Sequence, residues 1–141
     1  MSMRMVLPRP DLDGRRLNEP GKPEVWLVFG GERHQIASST VYDSLFSEVT
    51  GLLPYEGVEW ITEGPVLEEG TCLIRADETL SIYLVTRRFN GQVVRHFIPT
   101  YESLVDFGFD QGKVRNVPPL VVEGLHEGVE LTSAADRDAR R

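Results

Sequence analysis

The chain carries the same strand–turn–strand–helix pattern twice, and this duplication limits its fold more than any other feature. The clearer copy runs over Ile82–Phe109, where two apolar strands flank an Asn-Gly turn and a short helix follows. A shorter copy runs over Val25–Phe46, with Gly30-Gly31 as the turn. A tandem repeat of one supersecondary unit is therefore the first expectation.

Matching residues recur in the same order at nearly constant spacing. Leu17 and Leu73 are 56 positions apart and Val28 and Val85 are 57 apart, whereas the later landmarks are 62 to 64 apart. The second hairpin is therefore five residues longer, and the extra residues lie at its tip, within 86–91. A two-residue Asn90-Gly91 turn would place Val85 opposite His96. A three-residue loop over 30–32 would place Val28 opposite His34.

One copy cannot bury both apolar faces of its hairpin with a single short helix, so each copy needs the other. We expect an α+β, mostly β fold, in which two tandem pseudo-symmetric units, each an antiparallel β-hairpin plus a short helix, pack into one domain. The expected division is an extended N-terminal arm (1–11), repeat unit 1 (12–66), repeat unit 2 (67–131) and a disordered charged tail (132–141).

Composition excludes several classes of function. The 141 residues carry a formal net charge of −7, which argues against a partner held through a nucleic-acid backbone. The single cysteine, Cys72, predicts no internal disulfide. No stretch is apolar enough for a signal peptide or for membrane insertion, so the chain as given is expected to be cytoplasmic, with a secreted or surface-associated form left open.

The strongest candidate ligand-binding residues are the paired histidines His34 and His96, each preceded by an arginine, Arg33 and Arg95. Two interpretations stay open. Each ring is half-buried and hydrogen-bonded to the backbone, or the two rings face a shared groove and contact a ligand there. A third residue at metal-ligand spacing is missing from the sequence around either histidine, so no metal is predicted.

The longer hairpin tip is the second candidate. It presents Arg87, Arg88, Phe89 and Asn90, and an arginine pair beside an aromatic ring is typical of binding hot spots, although a solvated tip is the alternative. No nucleophile–base arrangement, phosphate loop or other cofactor motif is present, so we expect no catalytic residue, no cofactor and no enzyme activity.

The segments Val25–Val28 with Arg33–Ile36, and Ile82–Val85 with Arg95–Pro99, resemble a hairpin–helix repeat of bacterial proteins. That repeat commonly reads Val-Tyr-Leu-Val, a glycine turn, Arg-Arg-His-Ile-Pro and a short helix ending in Gly-Phe. Unit 1 departs from it with Gln35 and Ala37 at the aromatic and proline positions. The resemblance implies a tandem arrangement, frequent export and no agreed activity.

Two functional hypotheses follow. The first is a non-catalytic binding module that recognises a carbohydrate or a cell-surface polymer through duplicated sites. The alternative is a protein-interaction component, such as an inhibitor, immunity factor or assembly subunit, that uses the acidic surface and the hairpin tip. Homo-oligomerisation stays open in both hypotheses.

Overall fold

The structure, a computed structural model, describes residues 5–140 as nine strands in two sheets and four short helices. The first four residues of the expected arm and the last residue of the expected tail lie outside this range. The strands are β1 (Arg16–Asn18), β2 (Val25–Phe29), β3 (Glu32–Gln35), β4 (Leu52–Pro54), β5 (Cys72–Ala76), β6 (Ile82–Arg87), β7 (Val93–Ile98), β8 (Arg115–Val117) and β9 (His126–Glu127), and the helices are α1 (Ser39–Leu45), α2 (Tyr101–Asp106), α3 (Pro119–Glu123) and α4 (Ala134–Ala139).

The two sheets have the same strand arrangement, which confirms the mostly β fold of two pseudo-symmetric units. Unit 1 forms the order β3-β2-β1-β4, and unit 2 forms β8-β5-β6-β7-β9. The first strand of each unit, β1 or β5, pairs antiparallel with the first hairpin strand, β2 or β6. On its other side it pairs in parallel with the strand that follows the helix, β4 or β8. The last segment of each unit returns to the outer hairpin strand, through the bridge Arg33↔Glu63 in unit 1 and the pair Arg95↔Glu127 in unit 2.

Both hairpin registers differ from the sequence prediction by one residue. Leu27 lies opposite His34, and Leu84 lies opposite His96. The first hairpin uses a two-residue turn, in which Gly30 and Gly31 have φ of 60° and 75°, as a type I′ turn requires. In the second hairpin the Arg88 amide donates a hydrogen bond to the Gln92 carbonyl at 2.8 Å, which leaves the three-residue loop 89–91.

The predicted pairing of Leu17 with Leu73 is also wrong by one position. Leu17 lies opposite Trp26, and Ile74 lies opposite Tyr83, so Leu17 corresponds to Ile74 at the same spacing of 57 that relates the hairpins. A single spacing of 57 therefore covers the first two strands of each unit, and the third strands, which carry the histidines, are 62 positions apart.

The main core is built jointly by the two units. One continuous cluster joins buried side chains of unit 1, among them Leu27, Phe29 and Leu45, with those of unit 2, among them Leu84 and Phe107. Smaller clusters cover the outer faces of the two sheets, one around Trp26 and the other around Ile74. Leu27 and Trp26 lie on opposite faces of the first hairpin, Leu27 in the main core and Trp26 in an outer cluster. Burial of large apolar side chains from both units in one cluster is the main force that joins the units.

The main helix of each unit, α1 or α2, begins at a hydroxyl cap. The Ser38 side chain accepts a hydrogen bond from the amide of Val41 at 3.2 Å, and the Thr100 side chain accepts one from the amide of Ser103 at 3.0 Å. The caps are 62 positions apart, the same spacing as the two histidines. The caps fix the residue at which the helix of each unit begins after its hairpin.

Residues Ala134–Ala139 form the helix α4, which corrects the expectation of a disordered tail over 132–141 for the described part of that tail. Ser133 caps α4, and Asp136 accepts hydrogen bonds from Thr100 at 2.6 Å and Ser103 at 3.0 Å. Arg137 forms an ion pair with buried Asp13 of unit 1 at 2.9 Å. Because these attachments are polar, the absence of large apolar residues does not leave this helix free.

The described part of the N-terminal arm lies along unit 1 and ends in a 3-10 turn at Pro10–Leu12. Leu7 bridges to Ile61, and the Arg9 amide donates to the Gly31 carbonyl at 2.7 Å. Among residues 5–140, no helix is long and apolar enough to cross a bilayer.

Candidate binding cleft

A cleft of about 410 Å³ opens between the tips of the two hairpins, and both histidines lie in its wall. Residues at the tip of the first hairpin form one side, and the longer second hairpin forms the other. We call this the inter-unit cleft; its lining is Phe29, Gly30, Glu32, His34, Pro65, Leu67, Thr86, Arg87, Arg88, Phe89, Asn90, Val94, His96 and Val129. The duplicated histidines therefore belong to one shared cleft and not to two separate pockets.

His34 is fixed by its ring nitrogens and by an aromatic neighbour. Nδ1 donates to the Pro65 carbonyl at 2.9 Å, and Nε2 lies 3.2 Å from the Phe29 carbonyl. The Phe29 ring stacks on the imidazole with a centroid distance of 3.7 Å. The ring is 4% exposed, so it contributes to the wall of the cleft more than to its open surface.

His96 repeats this arrangement in unit 2 with one change. Nδ1 donates to the Val129 carbonyl at 2.8 Å, in the same way that His34 uses Pro65. Nε2 accepts a hydrogen bond from the buried Thr86 hydroxyl at 2.7 Å. Phe29 also touches this ring edge to face, at a centroid distance of 5.2 Å, and so connects the histidines of the two units.

Burial keeps both imidazoles neutral. It lowers the pKa of His34 to about 4, against smaller opposing effects of the hydrogen bonds to Pro65 and Phe29. It also lowers the pKa of His96, although the bond to Val129 opposes the shift. Neutral rings held by their Nδ1 bonds to Pro65 and Val129 are structural members of the cleft and are poorly placed to shuttle protons.

A glycine packs against each histidine, in a contact that exists in both units. A Cβ on Gly64 would lie 2.3 Å from Cε1 of His34, and a Cβ on Gly128 would lie 2.5 Å from Cε1 of His96. The sequence places these glycines in the repeated Glu-Gly pairs, 64 positions apart. Both glycines are required because no side chain fits between the returning chain and the ring.

The arginines predicted beside the histidines do not line the inter-unit cleft. The Arg33 guanidinium stacks over Trp26 at 4.4 Å and donates to the Ile61 carbonyl at 2.9 Å. Arg95 lies 5.8 Å over Tyr83 and donates to the Leu125 carbonyl. Adjacent strand residues point to opposite faces, so an arginine next to an inward histidine must face outward. These arginines hold the returning chain segments in place.

The tip residues Arg87, Arg88 and Phe89 do line the cleft, together with Asn90. Arg88 donates to the Gln92 side chain at 2.7 Å and to the Glu127 carbonyl at 2.7 Å, and Arg87 pairs with Glu68 at 3.1 Å. The Phe89 ring is 78% exposed at the rim. The arginines are thus partly engaged, and the exposed aromatic ring is the open feature of the tip.

Sequence reasoning missed Phe29, Glu32 and Thr86 as cleft residues. Burial raises the pKa of the Glu32 carboxyl. The correct register would have identified Glu32, because Glu32 lies opposite Phe29 and on the same face of the strand as His34. Thr86 occupies the position of Phe29 in the second hairpin, 57 residues later.

Among residues 5–140, no group of three or more histidine, cysteine or carboxylate side chains could hold a metal ion. Comparison of the chain with models of known protein families, with curated proteins and with solved structures finds no match.

Proposed function

We propose that the protein is a non-catalytic binding module that holds one carbohydrate segment, free or part of a cell-surface polymer, in the inter-unit cleft. The supporting observation is the combination of an exposed ring, Phe89, with a carboxylate, Glu32, and an amide, Asn90, in one cleft. Sugar rings stack on aromatic faces through their C–H groups, and carboxylates and amides form paired hydrogen bonds with hydroxyls.

The proposal replaces the duplicated sites with a single one. Each unit supplies one histidine to the wall, but the rim groups differ between units, since the tip 87–90 exists only in the longer hairpin. One sugar-binding site per chain is therefore the expected stoichiometry. A family relationship to the bacterial hairpin–helix repeats, which the residue pattern resembles, is part of the proposal and fits recognition of a surface polymer.

The test is a glycan-array screen, followed by calorimetric titration of any glycan that binds. Phe89→Ala should weaken binding by about tenfold or more, because loss of one stacked ring removes on the order of 1–3 kcal/mol. Leu80→Ala is the matched control, since Leu80 is 92% exposed and does not line the cleft. Equal affinities for the two variants, or no glycan binding at millimolar protein, would refute the proposal.

A protein partner at the same tip is the second candidate. The observation that favours it is the exposure of Phe89 next to two arginines, since an accessible aromatic ring with arginine neighbours is the composition of an interface hot spot. Removing residues 87–90 should then abolish co-purification of a partner without lowering the melting temperature. Retained co-purification would contradict this candidate.

A further inference from the structure

A second cavity, with no role assigned so far, lies on unit 1, away from the inter-unit cleft. It has a volume of about 600 Å³ and lies between the open end of the first hairpin, the start of α1 and the approach to β4. Val25, Ile36 and Leu52 provide apolar surface, and Glu24, Gln35 and Asp43 provide polar groups. We call it the Glu24 groove.

Glu24 is the unusual member of this groove. Its Oε2 atom is the buried side-chain oxygen that lacks a hydrogen-bond partner among the described residues. A buried carboxylate oxygen without a donor costs free energy unless a ligand or ion compensates the charge. Lys22 forms an ion pair with Glu19 and attracts Glu24 through its charge, but it donates no hydrogen bond to Oε2, which therefore has no donor among the described residues.

The position of Glu24 is fixed by the backbone around it. The Asn18 side chain donates to the carbonyls of Lys22 and Glu24, at 3.0 and 2.9 Å. The Ile36 amide donates to the Val25 carbonyl at 2.9 Å and closes the hairpin directly beside it. A preformed wall of this kind lowers the entropy cost of binding.

The second unit does not carry this chemistry. At the established spacings, Glu24 corresponds to Ser81, Gln35 to Phe97 and Asp43 to Val105. Both acidic positions of the groove are therefore specific to unit 1, although the two units share the same framework. The requirements of the shared fold do not explain a carboxylate at position 24.

We propose that the Glu24 groove binds an aliphatic amine, with the ammonium group compensating Glu24 and the alkyl chain against Val25, Ile36 and Leu52. A cation fits because the ionisable side chains that line the groove are Glu24, Asp43 and Tyr42, with no lysine, arginine or histidine in the lining. An aliphatic body fits because the floor is apolar. Both a free alkylamine and a lysine side chain of a peptide have this chemistry.

The experiment is an NMR titration of the full chain, labelled with ¹⁵N, with n-hexylamine as the probe. Saturable shifts at the amides of Val25, Gln35 and Ser39 are expected. Glu24→Gln keeps the shape of the side chain and should weaken binding by about tenfold or more, since it removes a charge-assisted contact. Glu123→Gln, on α3 of unit 2, makes the same change in net charge and should leave the affinity unchanged.

A second comparison uses the unaltered protein. Hexan-1-ol has the same alkyl chain without the charge and should bind about tenfold more weakly than hexylamine if Glu24 is the anchor. Nα-acetyl-lysine amide compared with Nα-acetyl-norleucine amide tests a lysine side chain as the ligand, and binding of either hexylamine or the lysine amide supports the site. Equal affinities of the two glutamate variants, equal binding of amine and alcohol, or shifts spread over the whole surface would overturn the proposal.

Discussion

Replacing Gly64 or Gly128 by alanine should destabilise the protein by similar amounts, because each glycine supports a histidine in the same way. The added Cβ would lie 2.3 Å from Cε1 of His34 or 2.5 Å from Cε1 of His96. Real contacts of this type are essentially never below 3.0 Å. The ring must therefore move by roughly 1 Å, given ordinary packing distances of 3.5–4 Å.

That movement breaks the Nδ1 hydrogen bonds to Pro65 and Val129, which measure 2.9 and 2.8 Å. Loss of a buried hydrogen bond costs about 1–3 kcal/mol, and overpacking costs a similar amount. Each variant should therefore lower the free energy of unfolding by about 2–4 kcal/mol. Neither glycine has a positive φ, so backbone strain adds nothing.

Urea unfolding followed by circular dichroism measures the effect. Gly124→Ala is the control, because its Cβ would meet its nearest neighbour at 3.4 Å, an ordinary contact, and the change should stay within about 0.5 kcal/mol. In a His96→Ala background the penalty of Gly128→Ala should largely disappear. Gly64→Ala or Gly128→Ala as stable as the control, or a penalty that persists without the ring, would refute the packing argument.

Three further predictions concern the histidines and the C-terminal helix. Burial lowers the pKa of His34 to about 4 and also lowers that of His96, so below about pH 6.5 the unfolded chain binds more protons than the folded chain, and stability should fall from its full value above that pH toward pH 4. In His34→Gln the midpoint of urea unfolding should depend less on pH across this range. An unchanged pH dependence would contradict the prediction. Thr86→Val removes the hydroxyl that His96 accepts from and should cost about 1–2 kcal/mol in urea unfolding, whereas the exposed Thr40→Val should cost little; equal effects would argue against the bond. Removal of residues 133–141 should lower the midpoint of thermal unfolding, because α4 contacts both units. An unchanged midpoint would support the original expectation of a disordered tail.

The tandem repeat follows from the sequence, but the hairpin registers do not. Every residue of β2 from Trp26 to Phe29 is buried, so both faces are apolar and alternation cannot fix the register to one residue. The turns then decide, and Gly30-Gly31 and Asn90-Gly91 each allow a two- or a three-residue loop. Because both predicted registers are wrong by the same step, the correspondence of His34 with His96 is unaffected.

The cleft was only partly predictable, for a different reason. His34 and His96 were identified from their recurrence, and the tip residues from their composition. Phe29 and Glu32 share the face of His34 only in the register that the turn selects, and they meet the second hairpin only through the packing of unit 1 against unit 2. The ordered C-terminal helix was missed because its attachments, such as that of Asp136 to Thr100, are polar, whereas the prediction of disorder counted only apolar residues.

The central claim is that the two units complete one core and unfold together. Native-state hydrogen exchange tests it most directly, by comparing the amides of Leu27 in unit 1 and Leu84 in unit 2, both within strands beside the shared core. Leu45→Ala, a fully buried change in unit 1, should lower the opening free energy at both amides equally, by about 2–5 kcal/mol. A loss confined to Leu27, with Leu84 unchanged, would show two independent units and contradict the account.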